Sequence, residues 1–496
     1  MKQGSTLKKL LSAAFALVLS AIPACAATAE EEAITLKDIP VALTASYKNE
    51  NEFNPLYTQR FGADPGVMEY DGRLYVYMTD DIVEHEANGT VKENSYRLIR
   101  TLNCISSDDL VNWTDHGQIP VAGAIGIAKW AGNSWAPCAA HKTIDGKEKF
   151  FLYFCNGGNG IGVLTADSPI GPWRDELGHP LIDRSVKNCA DVVWLFDPAV
   201  MVDEDGTGYL AFGGGVPDGK QNAPGTGRIV RLGKDMLSLD GDPVRLDIPW
   251  LFEDSGINKI GNQYVYSYCS NWQTKGNALG LTDGAIQYMT AEDPLGPYTY
   301  QGELFPNEGR FFGMYGNNHH SIACLNGAYY LFYHNRPVEK AMGITGNYRS
   351  PQINAISLTE DGLLQQVKGT MRGVEQLKTV NPFEEIKAVT LSHQGGVTVK
   401  GSGENAFARA SSGSWTRVTG VDFGSDVSSL TIRARSAEGC QVYVTLGSLE
   451  SSIAARFTLP ASKEEAAYTV PFSASGVQNV YFIFDGGADF YAWRAE

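Results

Sequence analysis

The chain has 496 residues, with 56 acidic against 40 basic side chains and a formal net charge of −16. That length exceeds what one ordinary hydrophobic core supports, so at least two domains are expected. A surface this acidic repels phosphate backbones and excludes nucleic acid as a partner, but it does not repel a neutral polymer.

In chain order, Lys8 and Lys9 precede an apolar run from Leu10 to Ala21, and Ala24-Cys25-Ala26 offers a small-x-small cleavage site. Residues 1–26 therefore read as a signal peptide and 27–44 as a short N-terminal segment. The apolar run is shorter than a bilayer span, so the expected mature protein is exported, extracellular or periplasmic, and free of the membrane. Cleavage removes Cys25. The seven other cysteines stand singly, without zinc-site spacing, and read mostly as buried thiols with room for one bridge.

From about residue 45 the chain repeats itself. Five segments share one plan of a short apolar strand, a turn and an aromatic strand: ADPGVMEYDGRLYVYMT from Ala63, WAPCAAHKTIDGKEKFFLYF from Trp135, FDPAVMVDEDGTGYLAFGG from Phe196, FEDSGINKIGNQYVYSYCS from Phe252 and NHHSIACLNGAYYLFYHN from Asn318. Turn pairs such as Asp71-Gly72, Asp145-Gly146 and Asn326-Gly327 separate alternating runs, which is the hairpin signal. A repeat of roughly 64 residues suits propeller blades carrying loop insertions. We therefore expect an all-β chain with a five-bladed β-propeller over 45–375, a β-sandwich being the alternative. Asp203-Glu204-Asp205-Gly206 starts like a calcium loop but lacks the later ligands and reads as a hairpin turn.

Asn381-Pro382 breaks the pattern. Beyond it SSLTIRARS, CQVYVTLG and VQNVYFIFD are period-2 strands, so 381–496 is expected to form a β-sandwich of jelly-roll type. It offers few clustered acid–base groups, which points to binding rather than chemistry. Deletion after Gln376 is accordingly expected to spare any chemistry that the repeat region performs on small substrates.

Counting back from the second strand aligns Asp64, Ala136, Asp197, Glu253 and His319: Tyr75, Tyr264 and Tyr330 lie eleven residues after Asp64, Glu253 and His319, and Tyr209 twelve after Asp197. Innermost strands of a propeller line its central channel, so these positions converge. Three carboxylates at one channel mouth are costly unless they are paired, protonated or metal-bound. Acetal hydrolysis needs such a set: one acid to protonate the leaving oxygen, one carboxylate to activate water, and a neighbour to raise the acid's pKa. Taken singly, Asp64-Pro65 and Asp197-Pro198 are ordinary turn dipeptides; their shared register with Glu253 makes them candidates.

The stretches FGADPGVMEYDGRLYVYMTDD, SSDDLVNWTDHG, AKWAGNSWAP, GIGVLTADSPIGPW and VVWLFDPAVMVDEDGTGYLAFGGG resemble glycoside hydrolase family 43, in its arabinoxylan arabinofuranohydrolase branch. The resemblance implies a five-bladed propeller and inverting release of L-arabinofuranose from xylan. It also implies Asp64 as general base, Asp197 as pKa modulator and Glu253 as general acid. It suggests Trp135 and Phe196 as the floor of the sugar site, with core packing as the alternative, and Asn318 as a contact to the xylan backbone. His319 matches a histidine that helps hold a metal, usually calcium, although imidazole is a poor calcium ligand. The C-terminal part resembles a family 6 carbohydrate-binding module through SWTRVTGVDFG, but IKAVT carries Lys387 and Val389 where acidic calcium ligands are expected. The same scaffold and carboxylates also serve β-xylosidase or endo-arabinanase activity, and a non-catalytic carbohydrate-binding propeller is a further alternative. A sucrose- or fructan-cleaving propeller fits poorly, because Ala63 precedes Asp64 and Asp254 follows Glu253. The expected partner is arabinoxylan, met by a monomer.

Overall fold

The computed structural model describes residues 35–39 and 41–496. The expected signal peptide, 1–26, and most of the segment after it lie outside the described residues. Five antiparallel sheets follow in chain order. Blade 1 has strands Ala63–Tyr70, Arg73–Thr79, Thr101–Ser107 and Trp113–Pro120; blade 2 has Trp135–Ile144, Lys147–Cys155 and Ile161–Ala166. Blade 3 has Ala199–Val202, Gly208–Phe212, Arg228–Arg231 and Val244–Arg245. Blade 4 has Leu251–Ile260, Gln263–Ser270, Ile286–Ala291 and Thr299–Phe305, and blade 5 has His320–Leu325, Ala328–Asn335 and Ser350–Ile356.

Strand alternation explains why the sheets stack face to face around a ring. Along the second strand of blade 1, Leu74, Val76 and Met78 pack on Ala323, Leu325 and Phe332 of blade 5, while Tyr77 packs on Phe150, Leu152 and Phe154 of blade 2. Both faces of the blade are therefore buried, each against a different neighbour. The same holds onward: Phe151 and Tyr153 meet Leu210 and Phe212, Ala211 and Ile229 meet Ile257 and Tyr266, and Val265 and Ile286 meet Ile322 and Leu331. Five inter-blade cores thus join five blades, and the first strand of blade 5 returns to that of blade 1. This is the closed propeller expected from the repeats.

One device recurs at the inner end of four blades. Between Ala63↔Thr79 and Gly66↔Tyr77 the first strand spends one residue more than its partner, a β-bulge. The same extra residue lies between Trp135 and Cys138 and between Glu253 and Gly256. In blade 3 it lies between Phe196, bonded to Gly213, and Ala199, paired with Ala211. The residue entering each bulge has left-handed φ: Asp64 at 51°, Ala136 at 34°, Asp197 at 49° and Asp254 at 66°. Proline follows in three of the four cases, where the unpaired position needs no N–H donor.

A two-sheet sandwich follows. One sheet runs Thr398–Lys400, Phe407–Ala410, Ala488–Ala495, Ser429–Arg435, Ala466–Pro471, and the other His393–Gly395, Trp415–Asp422, Val477–Phe484, Cys440–Leu446, Ile453–Leu459. Val421, Leu430, Ile432, Val442, Val480 and Phe482 fill the space between them. The sandwich is tied to the propeller: the short strand Thr390–Leu391 extends blade 1 by pairing with Thr114 and Trp113. Asn112 exchanges two 2.8 Å hydrogen bonds with the backbone of Thr419. At the start of the domain, Lys387 pairs with Glu404 and Val389 is fully buried, so neither supplies an oxygen ligand for calcium. Among the described residues all seven cysteines are free, with only Cys324 exposed, and no helix is long and apolar enough to cross a membrane.

Candidate active site

The four bulges and the loops beside them enclose a cavity of about 220 Å³, lined by Asp64, Trp135, Phe196, Asp197, Glu253 and His319, with Tyr96, Asn317 and Arg349 completing the wall. Asp64, Asp197, Glu253 and His319 are thus brought together as the sequence suggests. Trp135 and Phe196 do line the cavity; the Trp135 indole N–H donates to Tyr96 O at 3.0 Å, fixing the ring. Asn318 does not reach it. Its side chain is fully buried, with Nδ2 donating to Gly284 O at 3.2 Å and facing Pro306 O at 3.5 Å, and the preceding residue, Asn317, faces the cavity instead.

The structure also corrects the register in blade 4. The residue matching Asp64, Ala136 and Asp197 by bulge and by φ is Asp254. Glu253 precedes the bulge and matches Ala63, Trp135 and Phe196. Counting from Tyr264 is one residue out, and in a strand a one-residue slip changes which face a side chain occupies. Blade 4 therefore contributes two adjacent acids, Glu253 to the cavity and Asp254 beneath it.

Their surroundings set these carboxyls apart. Asp64 is buried, which by itself raises its pKa, yet Arg349 first and then His319, His334 and Thr79 outweigh the burial and hold it at about 2. Arg349 Nη1 donates to Asp64 Oδ1 at 2.8 Å and Thr79 Oγ1 to Oδ2 at 2.6 Å. Asp81 anchors that guanidinium through Nε and Nη2, each at 2.8 Å. His334 is neutral: its Nδ1 accepts the Asp64 N–H at 3.0 Å and its Nε2 donates to Asn317 O at 2.9 Å. Burial, with Arg349, lowers its pKa to about 3, so its 3.4 Å approach to Asp64 Oδ1 is proximity rather than an ion pair.

Glu253 is the opposite case. Burial first, then the negative charge of Asp197, push its carboxyl well above the ordinary range, and its Oε1 is buried without a hydrogen-bond partner. Asp197 is raised to about 7 by burial against the pull of His319, and its Oδ2 accepts the Asp254 N–H at 2.9 Å. Close like charges cannot all ionise, so Asp197 and Glu253 titrate as a pair that retains a proton at neutral pH.

His319 stands among the acids, with Nε2 3.1 Å from Asp254 Oδ1 and Nδ1 3.6 Å from Asp64 Oδ1 and 3.9 Å from Asp197 Oδ2. The 3.1 Å approach is an ion-pair contact, not an aligned hydrogen bond, since Asp254 Oδ1 has no hydrogen-bond partner. Burial opposes its charge, but Asp254, Asp197 and Asp64 raise it to about 9. With no metal bound, the ring carries a proton on both nitrogens. Among the described residues no three His, Cys, Asp or Glu side chains are arranged to hold an ion. A calcium ion beside His319 would draw on carboxylate or water oxygens rather than on the imidazole, and Asp64, Asp197 and Asp254 are the acids around the ring. Asp254 is held in turn by His320, through its backbone N–H at 3.1 Å and through Nδ1, while His320 Nε2 meets Ser267 Oγ at 2.7 Å.

Arg349 and Asp254 escape the sequence reading. Arg349 has no repeat partner to mark it, being brought in from the loop before the last strand of blade 5. Asp254 was visible beside Glu253 and hidden only by the slipped register.

A five-bladed propeller whose axial cavity holds one ionised and one proton-bearing carboxyl is the framework of a glycoside hydrolase. The model of glycosyl hydrolases family 43 matches residues 53–364, and the chain belongs to that family. An arabinoxylan arabinofuranohydrolase of Paenibacillus polymyxa is 42% identical over 501 residues, covering 96% of this chain and 77% of the relative. Another, of Bacillus subtilis (strain 168), is 42% identical over 468 residues, covering 89% and 91%. The crystal structure of a family 43 arabinoxylan arabinofuranohydrolase from Bacillus subtilis, in complex with cellotetraose, matches with a TM-score of 0.88 at 41% identity over 91% of this chain and 99% of that one.

Proposed function

We propose that the chain is an inverting α-L-arabinofuranosidase that removes L-arabinofuranosyl side chains from arabinoxylan. The observation that carries the reading is the pair of opposed protonation states around one small cavity: Asp64 ionised beside Arg349, Glu253 protonated beside Asp197. At about 220 Å³ the cavity lies below the ~300–1,000 Å³ of sites for larger ligands and suits one sugar unit, not a polymer backbone. Glu253 gives its proton to the glycosidic oxygen as the bond to the anomeric carbon breaks. Asp64 takes a proton from the water that attacks that carbon from the opposite face, so the product forms with inverted configuration. Asp197 keeps the Glu253 proton in place until it is needed. Trp135 and Phe196 supply apolar surface for the sugar ring.

The 42% identity to two arabinoxylan arabinofuranohydrolases, over most of the chain, supports the substrate. The same reading assigns the sandwich to carbohydrate attachment and residues 1–26 to export; a secreted protein beginning at Ala27 is the expected result of N-terminal sequencing. The deciding experiment is chromatography of sugars released from wheat arabinoxylan and from xylobiose. Arabinose from the first with the xylan chain intact is expected. Xylose from xylobiose would move the function to β-xylosidase.

A further inference from the structure

Blade 1 carries a second concave site away from the carboxylates. Asp64 and Tyr70 lie at opposite ends of one strand, and six residues at about 3.3 Å each separate them by roughly 20 Å. At the Tyr70 end, where the blade meets the segment leading into the sandwich, a groove of about 680 Å³ is open. Its floor is a cross-strand row: Tyr75 is paired with Ser106, Ser106 with Thr114, and Thr114 with Thr390. Tyr70 and the segment around Lys378 and Thr379 form its walls.

The chemistry of this lining selects a ligand class. Its cations are already paired with acids of the same groove, Arg73 with Asp108 at 3.3 Å, Lys378 with Asp108 at 2.8 Å and Lys387 with Glu404, which leaves no free cation there for an anionic ligand. The further acids of the lining, Asp109, Glu384 and Glu385, reinforce that exclusion, and the rest of it is neutral and polar. His116 is 8% exposed, its Nε2 meets Ser106 Oγ at 2.7 Å, and its Nδ1 has no partner. Ser106 Oγ also accepts Arg73 Nε at 2.8 Å, and its second lone pair and its proton let it meet His116 Nε2 in either ring tautomer. A buried ring nitrogen without a partner at a groove wall calls for one from a ligand or water. Half-buried Tyr70 and Tyr75 add ring surface, and half-buried Thr390 adds a hydroxyl. Rings for sugar C–H faces, a hydroxyl and a neutral imidazole, in a lining whose acids outnumber its cations, match a neutral saccharide and exclude an anion.

We propose that this groove is a second, non-catalytic binding site for a short neutral oligosaccharide segment of the polysaccharide. The proposal rests on the arabinoxylan reading and extends it: the chain would hold the polymer at one point while the cavity works at another. Simultaneous engagement raises the local concentration of side chains at the cavity, an advantage only a polymer can provide.

The test uses the full chain in a Glu253→Gln background titrated calorimetrically with xylohexaose. One binding event, distinct from any at the sandwich, is expected to be lost when Tyr75→Ala is added. Thr379→Trp, which fills the groove from an exposed wall without touching the core, should also remove that event. In the otherwise wild-type chain each of these variants should keep kcat and KM for a small aryl arabinofuranoside, while KM for polymeric arabinoxylan rises about 3- to 10-fold, the loss of a modest second contact. No measurable binding in Glu253→Gln, or events that all survive both variants, overturns the groove site. Neither result touches the arabinofuranosidase reading, which stands or falls on arabinose release by the wild-type chain.

Discussion

Glu253 and Asp64 have similar carboxyl chemistry, and the residues around them give them opposite work. Replacing Glu253 with Gln keeps the shape and removes the proton. We expect kcat on arabinoxylan to fall about 10²- to 10⁴-fold with KM little changed, and a substrate with an activated aryl leaving group to suffer less. Unchanged kcat on the natural linkage would remove Glu253 from the acid role. The pH profile follows from the same contrast. Activity needs Asp64 ionised, so it is lost as pH falls toward about 2, and it needs the Asp197–Glu253 pair to hold its proton, so it is lost as pH rises through the pair's upper pKa. Arg349→Met removes the cation that opposes the burial of Asp64. Its pKa should then rise, moving the acidic limb upward by about 1–3 pH units while the alkaline limb stays near its place. An acidic limb that does not move in pH–rate measurements would detach Arg349 from the base.

At the scale of strands and bulges, what was legible in the sequence was what repeats. The hairpin turns and aromatic second strands appear five times, and that periodicity carried the propeller before any contact was known. The bulges were not legible as such. They leave a trace in Asp64-Pro65, Ala136-Pro137 and Asp197-Pro198, but Asp254-Ser255 lacks the proline, and the anchor tyrosine of blade 4 sits one residue early. Asn318 was misplaced for a related reason: sequence alone does not say which of two adjacent asparagines faces the axis. The bulge also brings neighbouring blades close. A Cβ on Gly66 would lie 1.9 Å from Pro137 O and 2.8 Å from Pro137 C, both backbone atoms that cannot rotate away. Gly66→Ala should therefore cost at least about 1–3 kcal/mol, the usual penalty for overpacking, and lower the midpoint of a urea unfolding curve. A midpoint equal to wild type would mean that the seam between blades 1 and 2 can open freely.

For the whole molecule the boundary near Gln376 matters most. Composition changes there, and a change of texture reads naturally as two independent bodies, hence the expectation that loss of the sandwich spares hydrolysis of small substrates. The contacts argue for interdependence. Beyond the paired bonds of Asn112 to Thr419, the Trp415 indole N–H donates to Thr44 O at 2.8 Å, Arg417 Nη1 to Glu50 O at 2.8 Å, Gln394 Nε2 to Thr58 Oγ1 at 2.9 Å, and the Asp115 N–H to Val389 O at 3.0 Å. Each such bond is worth about 0.5–1.5 kcal/mol net, so together they amount to several kcal/mol, against a stability of about 5–15 kcal/mol for a typical domain. Deletion of 377–496 also strips Thr390–Leu391 from the edge of blade 1 and uncovers its outer strand. Calorimetry of the full chain should show one cooperative transition, and the truncated propeller should melt at a clearly lower temperature or aggregate. Activity of the truncated protein on a small aryl arabinofuranoside, measured well below its melting point, should nevertheless persist, because every residue lining the catalytic cavity lies between Asp64 and Arg349. Two separate transitions in the full chain, with an undiminished melting temperature for the isolated propeller, would show that these contacts join two bodies that fold independently.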